Sequence, residues 1–166
     1  MITVISGTNR AGSNTRKVAE LYHQLLAEKG ANPVFLSLEE LNSLHRDDQF
    51  TRIETKILIP SQKFVFITPE YNGSIPGVFK LMIDLADVKK AWWHKKAMLV
   101  GVANGRAGNL RGMDHLTNIL NHINMLVMPV KLPISTVNKL LDADGKMTDT
   151  ATLTVMDKQV TDFLLF

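Results

Sequence analysis

Short apolar runs alternate with longer segments in which apolar residues recur at helical spacing. The runs predict five strands, at residues 2–5, 33–38, 63–68, 97–103 and 125–130. The segments with helical spacing predict five helices, at about residues 14–29, 51–59, 76–86, 113–123 and 150–166. Residues 39–62 carry the weakest pattern, and Pro60 would end the helix predicted there.

The strands are apolar over nearly their whole length, which is typical of a parallel sheet covered by helices on both faces. Alternation of strands and helices predicts the α/β class. Five of each fit a flavodoxin-like, doubly wound, five-stranded parallel sheet with strand order 2-1-3-4-5. A length of 166 residues without repeats or linkers predicts a single domain over residues 1–166.

Composition narrows the classes of function. The chain has no cysteine, which excludes disulfides, thiolate metal sites and a cysteine nucleophile, and suits a reducing compartment. Neither an apolar run long enough for a membrane helix nor a secretory signal is present. The net charge of +3 is small and dispersed. We therefore expect a cytoplasmic protein that binds neither membranes nor nucleic acid.

Ligands of such sheets bind beyond the carboxyl ends of the strands, where three unusual loops would meet. The first loop, residues 6–15, reads SGTNRAGSNT. Gly7 and Gly12 have Walker A spacing, but Ser13 and Asn14 replace its Lys-Ser/Thr pair, which argues against nucleotide hydrolysis. An ordinary helix cap is one interpretation of this loop. The other is a terminal phosphate held without a metal ion, by Ser6, Thr8, Arg10, Ser13, Asn14 and Thr15.

The second loop, residues 68–77, reads TPEYNGSIPG and would present a stiff backbone and the flat face of Tyr71 to a planar ring. In the third loop, residues 104–112 (NGRAGNLRG), glycines allow close approach of the backbone, and Arg106 and Arg111 are candidates for a second phosphate. Taken alone, the second and third loops are more simply ordinary turns, and the first loop fits its two interpretations equally well. Taken together, a phosphate site beside a ring platform predicts a mononucleotide with a planar head, and FMN fits best.

Two motifs resemble the NADPH-dependent FMN reductase family. Its G-S-x-R-x-x-S pattern reads GTNRAGS at residues 7–13. Its long second motif, P-E-Y-N-x-S-x-P-G-x-L-K-N-x-I-D, reads PEYNGSIPGVFKLMID at residues 69–84. This sequence departs from the family pattern at three positions: Thr8 replaces serine, Leu81 replaces asparagine, and Asn104 stands where the family often has serine.

The resemblance implies roles for individual residues. Thr8, Arg10, Ser13 and Thr15 would hold the flavin phosphate. The isoalloxazine ring would lie against the second loop, at Pro69, Glu70, Tyr71, Asn72 and Gly73, and the third loop would contribute Asn104, Gly105 and Arg106.

The predicted function is an FMN-dependent NAD(P)H oxidoreductase. Hydride would pass from NADPH or NADH through FMN to a flavin, quinone, azo or similar acceptor, with no side chain acting as acid or base and no metal ion. The resemblance also implies a homodimer or homotetramer. The alternative is a non-enzymatic, flavodoxin-type electron carrier. Such carriers are typically acidic, and the pI near 9.2 argues against that role.

Overall fold

The computed structural model describes residues 1–41 and 45–166. Its strands are β1 (Ile2–Ser6), β2 (Val34–Ser37), β3 (Lys63–Pro69), β4 (Lys96–Val102), β5 (Leu126–Val127) and β6 (Leu132–Ile134). Its α-helices are α1 (Asn14–Glu28), α2 (Asp48–Ile53), α3 (Gly77–Leu85), α4 (Val88–Ala91), α5 (Leu110–His122) and α6 (Thr150–Leu165). Two short 3₁₀ turns lie at Leu38–Glu40 and Val137–Lys139.

The strands form one parallel sheet in the order β2-β1-β3-β4-β5. Ile5 of β1 lies between Leu36 of β2 and Phe66 of β3, which fixes the register at its centre. The predicted fold class and strand order are therefore confirmed. The carboxyl ends of β1, β3 and β4 come together at one edge, because neighbouring parallel strands run in register.

The last strand position differs from the prediction. Residues 125–130 were expected to form one strand, but β5 ends at Val127 after pairing with Lys96 and Ala97. A further strand, β6, was not predicted. It runs in the same direction as β5 and pairs with the carboxyl end of β4 at Val100–Val102. Pro129 lies between the two segments and has no N–H to donate, so the ladder is broken there.

The segment with the weakest pattern contains α2, which begins after the cap Asp47 and continues as a π-helical turn at Glu54–Leu58. The predicted helix at residues 51–59 is therefore present, with an earlier start. Residues 42–44 lie outside the described residues.

Apolar side chains cover both faces of the sheet. On one face, the rings of Phe64, Phe66, Phe79 and Trp92 pack with centroids 5.3–6.4 Å apart. The other face packs against α1 and α6. Trp92, which directly follows α4, is fully buried and belongs to this core. Within the described residues, no helix is long and apolar enough to cross a membrane.

Candidate functional site

A cleft of about 700 Å³ opens at the carboxyl ends of the strands, where the three loops meet. Every residue predicted to bind a cofactor lines it except Ser6 and Thr8. Ala11, Gly12, Val102, Ala103, Ala107 and Val137 also line it and were not predicted. The three loops, far apart in sequence, therefore surround one cavity at the sheet edge that the topology predicts for a ligand.

One end of the cleft is the start of α1. Ser13 caps the helix, and its Oγ accepts a hydrogen bond from the Arg16 N–H at 3.2 Å. The first main-chain N–H groups of a helix have no partner within the helix, and they carry the positive end of its dipole. The first turn of α1 contains no acidic residue. Gly12 stands beside it in the left-handed region (φ 63°) with open space around it, so this end of the cleft suits an anion.

Arg10 is the arginine of the first loop that lines the cleft. Arg16, one turn into α1, is held by Glu20 at 2.9 Å and by Glu39 at 2.6 Å. Hydrogen bonds to Glu20 and Glu39 raise the pKa of Arg16. Arg16 is thus neutralised by carboxylates, whereas Arg10 is exposed and faces the cavity.

The first residues of the first loop, Ser6, Gly7 and Thr8, do not line the cleft. All three are buried beneath the cleft. The Ser6 Oγ has no hydrogen-bond partner among the described residues. A Cβ at Gly7 would lie 2.8 Å from the Ile67 carbonyl oxygen, so this glycine serves the close contact of the first loop with β3. The Thr8 Oγ1 lies 2.7 Å from the Tyr71 hydroxyl, and Thr8 is therefore a support of the second loop.

The second loop contains a tight hairpin, residues 71–74, here called the ring hairpin. The Tyr71 N–H donates to the Ser74 carbonyl at 2.9 Å, and the Ser74 N–H donates to the Tyr71 carbonyl at 3.1 Å. Asn72 and Gly73 have φ of 52° and 77°, as the Asn-Gly pair of a type I′ turn requires. The hairpin is thus closed by its own main chain, and Tyr71, Asn72 and Gly73 form part of the wall of the cleft.

Tyr71 is held at two points. Its hydroxyl lies against Thr8, and the Arg10 guanidinium carbon lies 5.0 Å from its ring centroid. A cation over an aromatic face contributes about 0.5–1 kcal/mol at an exposed position. The sequence suggested separate sites for the phosphate and the ring, but Arg10 and Tyr71 are direct neighbours.

The third loop is fixed by segments on either side of it. The Gly105 carbonyl accepts from Thr136 N–H at 2.9 Å, and the Ala103 carbonyl accepts from Val137 N–H at 3.1 Å. These bonds explain how Val137 reaches the cleft. Arg106 is exposed and lines the cavity. Arg111 does not line it; its Nη1 lies 3.9 Å from where a Cβ on Gly73 would stand.

Side chains outside the predicted set also build the site. The Asn109 Nδ2 donates to the Thr68 carbonyl at 2.8 Å, and the His115 Nδ1 lies 2.9 Å from the Ser74 Oγ. Periodicity placed His115 on a helix and showed no more. Among residues 1–41 and 45–166, no group of three or more His, Asp or Glu side chains could hold a metal ion.

The cleft fits FMN. The start of α1, Ser13, Thr15 and Arg10 supply donors for a phosphate at one end, and the ring hairpin with the aromatic ring of Tyr71 forms the wall near it. Residues 1–139 match the model of the NADPH-dependent FMN reductase family. The chain belongs to this family.

Individual relatives agree with the family model. An NAD(P)H-dependent FMN reductase of Pseudomonas aeruginosa is 33% identical over 101 residues, which cover 58% of this chain and 54% of that enzyme. A quinone reductase of Pseudomonas putida is 28% identical over 163 residues, covering 89% and 84% of the two chains. The solved structure of the flavoenzyme NAD(P)H:(acceptor) oxidoreductase FerB from Paracoccus denitrificans superposes with a TM-score of 0.78 at 25% identity, covering 98% of this chain and 93% of that one.

Membership of the family confirms the prediction of an FMN-dependent NAD(P)H oxidoreductase over that of an electron carrier. FMN is its cofactor and a nicotinamide nucleotide its co-substrate.

Proposed function

We propose that the three loops hold FMN in this cleft and that the chain reduces a small acceptor, such as a quinone, with electrons from NADPH or NADH. FMN bound here would supply the redox chemistry, because a flavin can accept a hydride from a nicotinamide and pass the electrons to an acceptor. The observation that carries this proposal is the meeting of a helix start suited to an anion and the closed ring hairpin in one cavity of about 700 Å³. Reduction of a quinone to the hydroquinone consumes the hydride of the nicotinamide and one proton from solvent, and we assign no side chain as acid or base.

The phosphate would lie at the start of α1. Ser13 and Thr15 supply hydroxyl groups, Asn14 supplies an amide, and the free main-chain N–H groups aim at the same place. Arg10 adds the positive charge, because the neighbouring Arg16 already binds Glu20 and Glu39. A phosphate group held by neutral donors and one arginine needs no metal ion.

The ring would lie along the second loop. Pro69, Glu70, Tyr71, Asn72 and Gly73 form a continuous stretch of the cleft wall. Asn72 and Gly73, both left-handed, form the tip of the hairpin and line the cleft. Their main-chain N–H and C=O groups would meet the polar edge of the flavin. Because the hairpin is closed by two main-chain hydrogen bonds, its shape is set before a ligand arrives.

The nicotinamide nucleotide would approach from the third loop. Asn104, Gly105 and Arg106 line the cleft next to the start of α1, where the Asn14 Nδ2 donates to the Asn104 Oδ1 at 3.3 Å. Arg106 is the third-loop arginine that lines the cavity, and we assign it to the second phosphate. We further propose that the protein is a homodimer or homotetramer, as the family resemblance implies, and that it is cytoplasmic, as its composition suggests.

Titration of the flavin-free protein tests the cofactor site. FMN should bind more tightly than riboflavin or FAD, as measured by quenching of flavin fluorescence and by thermal shift. Tighter binding of ATP with magnesium than of FMN would contradict the proposal. Steady oxidation of NADPH with a quinone, without any partner protein, tests turnover; a carrier would show reduction of its bound flavin and no sustained turnover. Light scattering after size exclusion measures the assembly.

A further inference from the structure

Two side chains from the start of α5 reach the segment that carries the ring hairpin. The Asn109 Nδ2 donates to the main-chain carbonyl of Thr68 at 2.8 Å, just before the hairpin. The His115 Nδ1 lies 2.9 Å from the Ser74 Oγ, at the end of the hairpin. The contacts thus hold the stretch between Thr68 and Ser74 at both of its ends.

Asn109 is built into this position. It is fully buried and left-handed, with φ 64° and ψ 35°. Two glycines leave room for it: a Cβ at Gly112 would lie 2.1 Å from the Asn109 Oδ1, and one at Gly101 would lie 3.1 Å from the Asn109 Cβ. A buried amide costs free energy unless it is hydrogen-bonded. The Asn109 Oδ1 has no hydrogen-bond partner among the described residues. The bond from Nδ2 to the Thr68 carbonyl is therefore what offsets the cost of burying this amide.

His115 holds the other end from the surface. The main chain of Ser74 already exchanges two hydrogen bonds with Tyr71. The side chain of Ser74 is therefore available for a hydrogen bond to a second element, and it makes this bond with His115 of α5. Because Tyr71 is held in turn by Thr8, the hairpin is attached to both the first loop and α5.

We infer that Asn109 and His115 are positioning residues, which set the place of the flavin ring by holding the ring hairpin against α5. This rests on the proposed cofactor site. Neither residue lines the cleft, so each acts through Thr68 or Ser74. Their loss should therefore weaken the ring contacts alone. The expected result is an equal loss of affinity for FMN and for riboflavin, which lacks the phosphate.

Two variants and two matched controls test the inference. Asn109→Gly keeps the left-handed backbone and removes the bond to Thr68; Asn124→Gly makes the same change at an exposed left-handed residue (φ 57°) just after α5. His115→Ala is matched by His122→Ala, an exposed histidine on the same helix. Each test variant should bind FMN and riboflavin about three- to tenfold more weakly, as expected for one lost hydrogen bond. The controls should bind like the wild type.

Two further measurements separate positioning from general destabilisation. Amide hydrogen exchange of flavin-free protein should be faster at Tyr71 and Ser74 in the test variants and unchanged in the controls. His115→Asn, which keeps a polar atom near the place of Nδ1, should recover part of the affinity lost in His115→Ala.

Three results would overturn the inference: wild-type affinity for riboflavin in both test variants, equal losses in the controls, or unchanged exchange at Tyr71 and Ser74. If the wild type itself bound neither FMN nor riboflavin, the proposed cofactor site would fail instead, and the exchange rates would still decide whether α5 holds the hairpin.

Discussion

The first loop and the ring hairpin reach the same cleft by different means. The first loop leaves Arg10, Ala11 and Gly12 exposed and relies on the start of the helix that follows it directly. The hairpin is closed on itself and attached to Thr8 on one side and His115 on the other. The end of the cleft at the start of α1 is thus built from one continuous segment and is here called the local end. The end at the ring hairpin is held by three segments that are distant in sequence and is here called the assembled end.

This difference predicts how substitutions will act. At the local end, a side chain contacts the ligand itself, and its loss should depend on the ligand group it meets. At the assembled end, a side chain acts through the backbone it holds, and its loss should affect every ligand that uses the ring wall. Comparing FMN with riboflavin separates the two, because the ligands differ by the phosphate alone.

The largest effect should come from Gly7, where the first loop touches β3. In Gly7→Ala, the new Cβ would lie 2.8 Å from the Ile67 carbonyl and from the Phe79 ring. Overpacking of this kind costs about 1–3 kcal/mol of the free energy of unfolding, measured by urea denaturation. Gly77→Ala is the control, since a Cβ there meets nothing within 4 Å. Equal stability of the two variants would contradict the close contact.

Arg10 should show the ligand dependence of the local end. A hydrogen bond to a charged group contributes about 1.5–3 kcal/mol, so Arg10→Ala should weaken FMN binding about 10- to 100-fold. Riboflavin should lose only the contribution of Arg10 to the Tyr71 ring, about two- to fivefold. The loss for FMN should shrink at high salt. Arg52→Ala, at an exposed residue of α2, is the control. Equal losses for both ligands would remove the phosphate role.

The sequence predicted the local end well. Strand periodicity placed the first loop at the carboxyl edge, and a helix cap was one of its two interpretations; the structure shows that Ser13 is this cap. It also predicted the sheet order, since alternating strands and helices restrict the topology. The split of the last strand at Pro129 could have been expected from the missing N–H.

The assembled end was predicted only in outline. The motif placed Tyr71 in the second loop, but the direction of its hydroxyl depends on Thr8, a residue 63 positions away. The contact of His115 with Ser74 spans 41 positions, and that of Val137 with the third loop arises from a turn after an unpredicted strand. Such contacts depend on packing between elements, which periodicity within one element does not encode.

A smaller effect should come from the bond between Thr8 and Tyr71. Tyr71→Phe and Thr8→Val each remove one hydroxyl of the pair, at about 0.5–1.5 kcal/mol. FMN and riboflavin should therefore bind about two- to tenfold more weakly and to the same extent. Thr8→Val also removes the acceptor of the Arg10 main-chain N–H at 3.2 Å. The double variant should therefore lose little more than Thr8→Val alone, because the bond to Tyr71 is already absent there. Additive losses would show that the two hydroxyls act independently.

The smallest effect should come from Arg106, which tests whether the third loop acts as a local end too. Arg106 is exposed and lines the cleft, so it can meet the extra phosphate of NADPH directly. An exposed ion pair contributes about 0.2–1 kcal/mol, so Arg106→Ala should raise the KM for NADPH up to about fivefold and leave that for NADH unchanged. Arg111→Ala, outside the cleft, should change neither. Stopped-flow reduction of the bound flavin by each nucleotide measures the preference. If NADH and NADPH reduce the wild type equally well, Arg106 has no such role, and the flavin site itself is unaffected.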